Sequence, residues 1–225
     1  PMDANNNLDV AMHDGRLYLA FRTAPTHFAS DEVKMVVVSS TDETDWRFEG
    51  EFALGTDVRE PQLFSWNGTL FLYFAVLGAN PAAFEPQGSR YTTYNGPGDW
   101  EPLTEYADAT FIPWRIKVAS DSAGQPELQM VGYTGGGDIY EPDGDAELDI
   151  YLLRSDNGVD WEPFVGSSDP DGIVQTGGGS ETDYVIRDDG SLIAVTRNEA
   201  GDATGFGSKI CSAPASDLAD WTCVS

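Results

Sequence analysis

Four arginines carry the chain's clearest chemical signal: Arg22, Arg59, Arg115 and Arg197. A guanidinium is a planar fork that captures a carboxylate or phosphate through two parallel hydrogen bonds. The chain has only 12 basic residues against 38 acidic ones, so four arginines falling one per repeat, at ends of second strands or starts of first strands, suggest a pocket for an anionic group. Acids stand close to them in sequence. Glu60 follows Arg59, Glu181 and Asp183 alternate, and Glu199 lies just beyond Arg197. Cleavage of a glycosidic bond ordinarily takes two carboxyl groups, one protonated and one ionised. Burial or a like-charged neighbour raises one pKa, and a nearby arginine lowers the other. Trp114, Tyr133, Tyr140 and Tyr184 add flat rings on which sugars stack, and a tyrosine beside a base can serve as a nucleophile. Each group also has a plainer reading, with the acids as salt-bridge partners of the arginines and the rings as packing.

The elements that must position these residues repeat. Asp-Trp pairs close four segments at Trp46, Trp100, Trp161 and Trp221, and a second marker runs in step at Asp14-Gly15, Asn67-Gly68, Ala123-Gly124 and Asp189-Gly190. Two markers sharing a period of roughly 55–60 residues mean a repeated structural unit. Within each repeat the apolar runs are short, rich in Val, Ile, Tyr and Phe, and bounded by Gly, Asp, Asn and Pro, which reads as strands. The pattern predicts four antiparallel strands per repeat, for example Leu8–His13, Leu17–Arg22, Lys34–Ser39 and Arg47–Ala53 in the first. The second closes with one strand over Glu101–Tyr106, and the third with Glu162–Val165. Asp14-Gly15 and Asn67-Gly68 suit two-residue hairpin turns that need positive φ at both positions.

The fold class expected is therefore all-β: one β-propeller domain over 1–225, with blades at about 5–54, 58–107, 111–166 and 180–225. Starts of first strands and ends of second strands then ring one mouth of the disc, where the four arginines and Glu60, Glu181, Asp183 and Glu199 fall. Long second-to-third connections, such as Thr23–Val33 and Thr134–Leu148, belong to that same face, where binding usually resides. The chain opens Pro1-Met2, which reads as a processed or excised stretch, and the four repeats read either as a four-bladed propeller or, the favoured reading, as part of a larger ring of five or six blades.

Composition bounds the partners. The net charge of −26 repels phosphate backbones and argues against nucleic acid. No apolar run reaches the length of a membrane span, so insertion into a membrane is not expected. Oligomeric state has no signal. Cys211 and Cys223 flank the last turn, and two readings stay open: a disulfide in an exported protein, or two buried thiols. Zinc does not fit two thiols and two distant histidines, and no cofactor is expected. Calcium is a side reading, through Asp143, Asp145, Glu147 and Asp149, or through Asp169 and Asp171.

Three stretches carry a family resemblance. Val58-Arg59-Glu60-Pro61-Gln62-Leu63-Phe64, followed by Asn67-Gly68 and a Leu-Phe-Leu-Tyr-Phe strand, resembles the Arg-Asp-Pro segment of furanosidase propellers such as arabinanases and inulinase-type enzymes. Glu60 stands where their transition-state-stabilising acid stands. Phe111-Ile112-Pro113-Trp114-Arg115, then Met130-Val131-Gly132-Tyr133 and the Ser155–Trp161 turn, resembles a middle blade of sialidase-like proteins. Ser180-Glu181-Thr182-Asp183 with Ala194-Val195-Thr196-Arg197 is similar to the sialidase-like blade that carries a glutamate and an arginine. The turns Ser40–Trp46, Ser155–Trp161 and Ser216–Trp221 resemble the Asp-box, whose acid binds turn amides and whose indole packs between blades. Asn5-Asn6-Asn7-Leu8-Asp9 is the nearest stretch to the furanosidases' opening acid segment, and no acid of the first blade is assigned.

The resemblance implies a secreted or periplasmic glycoside hydrolase-like propeller acting on an anionic or furanose-containing glycan. Glu60 and Glu181 are the expected acids, with Asp183 as helper. Arg22, Arg59, Arg115, Arg197, Trp114 and Tyr133 are the expected substrate contacts, with no metal in the site. The other reading is a non-catalytic module that binds glycan or protein through the same face.

Overall fold

The computed structural model describes residues 1–107, 110–120, 124–135, 148–164 and 171–225, and these are strand, turn or irregular chain throughout, with no helix. They fall into two compact units, Pro1–Pro113 and Trp114–Ser225. The expectations that rest on Tyr140, Asp143, Asp145, Glu147 and Asp169 lie outside the described residues.

In the first unit, β1 (Ala4–His13), β2 (Arg16–Ala24), β3 (Lys34–Ser40) and β4 (Trp46–Phe52) form one antiparallel sheet in chain order. The second sheet is β5 (Asp57–Trp66), β6 (Thr69–Leu77) and β7 (Pro86–Gly96), with β8 (Asp99–Trp100) and β9 (Thr104–Tyr106) both pairing β7. Where the sequence predicts one closing strand over 101–106, the structure has only β9 in that span, with β8 just before it. Pro102 lies between them and has no N–H to give to a ladder. Both hairpins are the expected tight turns: Asp14 and Gly15 sit at φ 46 and 73°, Asn67 and Gly68 at 48 and 78°.

The period of two in β2 and β3 sends Tyr18, Ala20, Met35 and Val37 to one face, where they bury Leu63, Leu70, Leu72 and Phe74 of the next sheet. Trp100 bridges the same two sheets. Its indole N–H donates to the Glu49 carbonyl at 2.9 Å, and its ring occupies the space that a side chain at Gly50 would need.

In the second unit, β10 (Phe111–Ser120), β11 (Pro126–Gly135), β12 (Leu148–Ser155) and β13 (Glu162–Pro163) form one sheet, and β14 (Ile173–Gln175), not foreseen in the sequence, also pairs β12. β15 (Gly179–Ile186), β16 (Leu192–Asp202), β17 (Gly205–Ala213) and β18 (Thr222–Val224) form the other. Leu128, Met130, Ile150, Leu152, Leu192 and Ala194 are fully or almost fully buried here. Tyr184 of β15 crosses to β11, donating its hydroxyl to Gln129 Oε1 at 3.0 Å. Cys211 and Cys223 face each other across β17 and β18 and form a disulfide, which closes the question the sequence left open.

The Asp-Trp turns do what their chemistry allows. Ser40 Oγ accepts from the Glu43 amide at 2.8 Å, and Asp42 accepts from the Thr44 and Asp45 amides at 2.9 and 2.8 Å. In the turn over 155–161 the acceptor is Asn157, which takes the Val159 and Asp160 amides at 2.8 Å each. The tryptophans differ: Trp100 packs between sheets, Trp221 donates to Leu218 of its own turn, and Trp46 is 42% exposed. Among the described residues no helix is long and apolar enough to cross a membrane, and no group of three His, Cys, Asp or Glu could hold a metal.

A candidate site at the bulged first strands

Three first strands lose register near their beginnings. The ladder shifts between Asn6 and Leu8 in β1, between Arg59 and Gln62 in β5, and between Gly179 and Thr182 in β15. A bulge adds an unpaired residue and re-aims its side chain, and bulges concentrate beside active sites. The residues displaced from the ladder include Asn7, Glu60 and Glu181. Two of the acids expected from sequence therefore sit in bulges.

In the first unit the site is built around one buried carboxylate. Asp57, at the start of β5, is fully buried and accepts from two arginines: Arg22 Nε to Oδ1 at 2.9 Å and Arg59 Nε to Oδ2 at 2.6 Å. A buried arginine must be paired on every nitrogen it can pair. Arg22, also fully buried, donates to Asn6 Oδ1 at 3.2 Å, to the Thr26 carbonyl at 3.3 Å and to the Phe28 carbonyl at 3.0 Å. Arg59 reaches the same loop through the His27 carbonyl at 3.0 Å. The two guanidiniums thus fix the loop after β2 against the start of β5. Arg22 positions its neighbours from beneath, whereas Arg59 is partly open to solvent.

Asn6 is oriented by this network. Its oxygen accepts from Arg22, so its amide nitrogen donates to His27 Nδ1 at 2.7 Å. His27 Nδ1 is then an acceptor, and a neutral ring carries its proton on Nε2. Asn7 points to Glu60, its Nδ2 donating to Oε1 at 2.6 Å. Both residues hold left-handed backbone, with φ of 45° at Asn7 and 52° at Glu60. The far end of the same amide, Asn7 Oδ1, is buried with no hydrogen-bond partner among the described residues. Asp9, two residues on, accepts the Leu63 amide at 2.7 Å and ties β1 to β5.

In the second unit Arg197 of β16 lies between two acids, 3.1 Å from Glu181 Oε1 and 2.8 Å from Glu199 Oε2. Ser180 Oγ holds Glu199 at 3.1 Å. Asp183 is engaged by β10: Lys117 Nζ stands 2.5 Å from Oδ1 and Arg115 Nε 3.7 Å from Oδ2. Lys117 also lies 4.7 Å over the Tyr184 ring. Burial, with the Asp183 and Glu127 charges nearby, pushes the Tyr184 hydroxyl well above the ordinary tyrosine value, so it is held as a neutral donor. Trp114 and Tyr133 face each other with ring centres 6.1 Å apart.

The structure thus groups Arg22 with Arg59, Arg197 with Glu181 and Glu199, and Arg115 with Asp183. Sequence reasoning did not single out Asp57, Asn6, His27 or Lys117. One signal was available for Asp57: it precedes Arg59 by two residues on one strand, which places both side chains on the same side.

No protein-family model matches the chain, and no curated protein matches it. Solved structures do. A family 117 glycoside hydrolase from Zobellia galactanivorans superposes with a TM-score of 0.60 at 14% identity, over 98% of this chain and 69% of that one. An endo-arabinase from Bacteroides thetaiotaomicron gives 0.57 at 18% identity, over 97% and 78%. A Trypanosoma rangeli sialidase in complex with sialic acid gives 0.61 at 12% identity, over 99% of this chain and 38% of the sialidase. The chain has the sialidase-like and furanosidase-like propeller fold. At these identities the likeness is one of fold, and the four sheets are its blades.

Proposed function

We propose that the chain is a glycoside hydrolase-like propeller, sialidase-like in kind, acting on an anionic or furanose-containing glycan outside the cytoplasm. The observation that carries this reading is Glu60: an acid in a bulge, at positive φ, gripped by Asn7 and next to a partly open arginine. A non-glycine residue in left-handed backbone costs of order 1 kcal/mol or more and persists where surrounding contacts over-determine it, commonly at functional sites. Hydrolase neighbours of the same fold agree with it, and the Cys211–Cys223 disulfide suits an oxidising compartment.

In this reading Glu60 and Glu181 are the working carboxylates and Asp183 assists. Arg59, Arg115 and Arg197 meet the substrate's anionic group, Asp57 holds Arg59 in place beside the buried Arg22, and Trp114 and Tyr133 offer ring surface to the sugar. The test is hydrolysis of a panel of sialosides, uronosides and arabinans. Glu60→Gln and Glu181→Gln should each lower turnover by about 10²-fold or more with folding unchanged. Unaltered turnover in either removes that residue from the mechanism.

One observation favours a second reading, a glycan-binding module without turnover. Arg22, Arg59, Arg115 and Arg197 all face carboxylates of the chain itself. Retention on an immobilised glycan with no product released would select it.

A further inference from the structure

A cavity of about 570 Å³ lies within the second unit, between β14 and one face of β17 and β18. Register decides which side chains line it. Cys211 pairs Cys223 and Ile210 pairs Val224, so alternation puts Lys209, Trp221, Cys223 and Ser225 on the cavity side and Ile210 and Val224 on the other. The Cys211–Cys223 disulfide ties β18 to β17 and so holds the Trp221 wall in place. β14 with Thr176 supplies the facing wall, and Asp202 joins from the β16–β17 hairpin. Lys209 pairs Thr196 whereas Ser208 pairs Arg197, so the cavity and the Arg197 site lie on opposite faces of one sheet.

The lining has the chemistry of a site for an uncharged ligand rich in hydroxyls. Trp221 is half-buried, and its indole N–H is already given to the Leu218 carbonyl at 2.8 Å, so it offers ring surface alone. Lys209 Nζ donates to the Gly177 carbonyl at 3.3 Å and forms no ion pair among the described residues, which leaves N–H groups to give. Asp202 accepts the Ser225 hydroxyl at 2.5 Å and the Thr204 hydroxyl and amide at 2.6 and 2.8 Å. These bonds hold its carboxyl well below the ordinary carboxylate value, so it stays an acceptor. One cation and one anion leave the lining without net charge, although the chain carries −26. A flat apolar surface beside fixed donors and acceptors matches a sugar ring, with its C–H face and hydroxyl-bearing edge. The volume falls in the range of about 300–1,000 Å³ that small-molecule sites occupy.

We propose that this cavity binds a neutral sugar unit of a glycan, as a second site separate from Arg197, Glu181 and Glu199. The sugar stacks on Trp221 and exchanges hydrogen bonds with Lys209 and Asp202. The site takes no part in bond cleavage; it adds a hold on the same polymer from another face of the sheet. A uronate or sialic acid unit is the poorer occupant, because its carboxylate would meet Asp202 as well as Lys209. The proposal goes beyond the hydrolase reading and does not rest on turnover at Glu60 or Glu181.

The test titrates the unsubstituted protein and Glu181→Gln with arabinotriose, galactotriose and cellotriose, following the Trp221 indole N–H by NMR. Trp221→Phe assigns that resonance. At least one of the three sugars should move it saturably, with a Kd of about 1 mM, and to the same extent in Glu181→Gln. Lys209→Met keeps the stem and removes the donor, and should weaken that Kd about tenfold or more. No movement with any of the three up to about 100 mM would overturn the proposal. So would movement lost in Glu181→Gln, an unchanged Kd in Lys209→Met, or a response to sialyllactose in place of the neutral sugars. Failure of the hydrolase reading shows instead in the turnover of Glu60→Gln and Glu181→Gln, so the two failures are told apart.

Discussion

The Asn7 amide nitrogen lies 2.6 Å from Glu60 Oε1, and both residues occupy left-handed backbone in bulges of adjacent sheets. Neither conformation is favourable alone. Each is held by a ladder that resumes on both sides of the bulge, at Asn6 and Leu8 in one strand and at Arg59 and Gln62 in the other. The bond therefore fixes a carboxylate in an orientation that a regular strand could not give it.

Replacing Asn7 by Asp puts a second carboxylate against Glu60. Like charges in contact raise one pKa, so the folded value rises above the unfolded one and stability is lost as pH increases through it. Asn7→Asp should be destabilised by about 1–3 kcal/mol near neutral pH and recover below about pH 5. Urea denaturation across that range measures it, and a pH-independent deficit would mean the two side chains are apart in solution.

Asp57 is the shared partner of Arg22 and Arg59, and removing its charge leaves a fully buried guanidinium uncompensated. Asp57→Asn should lower stability by about 3–5 kcal/mol, the range for breaking a buried ion pair from one side. Arg59→Met, at the exposed end of the network, should cost much less. Equal losses in denaturant titrations of the two variants would contradict the buried assignment of Arg22.

Glu49 supplies a pH dependence of its own. Burial pushes its carboxyl up, but hydrogen bonds from Ser39, Tyr94 and Arg47 outweigh burial and hold it below the ordinary value of 4.5. A depressed folded value contributes stability above the unfolded value, lost as pH falls through the folded one. Glu49→Gln should therefore cost about 2 kcal/mol near neutral pH and progressively less below about pH 4.5. Denaturant midpoints of both proteins at several pH values would decide it; a constant difference would show that the charge is not what matters.

The orientation of Asn6 predicts the His27 tautomer. With Nδ1 accepting, a neutral ring should show its proton on Nε2 in long-range nitrogen–proton correlation spectra. Asn6→Ala should let the two tautomers approach their free populations, and an unchanged spectrum would place the histidine's partner elsewhere.

Much of the fold was written in the chain because its signals are local. Asp14-Gly15 and Asn67-Gly68 demand positive φ and obtain it, and β2 and β3 read as strands by composition, but both carry apolar residues on each face, so the neighbouring sheet decides which face is buried. The candidate site was only half legible. Arg22, Arg59 and Glu60 stood out by type, but the carboxylate joining the arginines is one of many acids in the sequence, and its spacing from Arg59 marks a shared side of the strand without marking Asp57 as buried. The bulges were invisible too, since an unpaired residue is defined against the facing strand. Glu60-Pro61 is the exception, because proline cannot give the ladder its N–H. The break at Pro102 carried the same signal and went unread.

Gly50 and Trp100 remain. A methyl group at position 50 would come within 2.6 Å of the indole nitrogen, so the two residues occupy one shared volume across the seam. Drift at either position is consequently licensed by the other: a descendant sequence that gains alanine at 50 has to surrender or tilt the tryptophan in the same lineage. Joint turnover of two sites so far apart along the polypeptide is the evolutionary trace that this seam should leave.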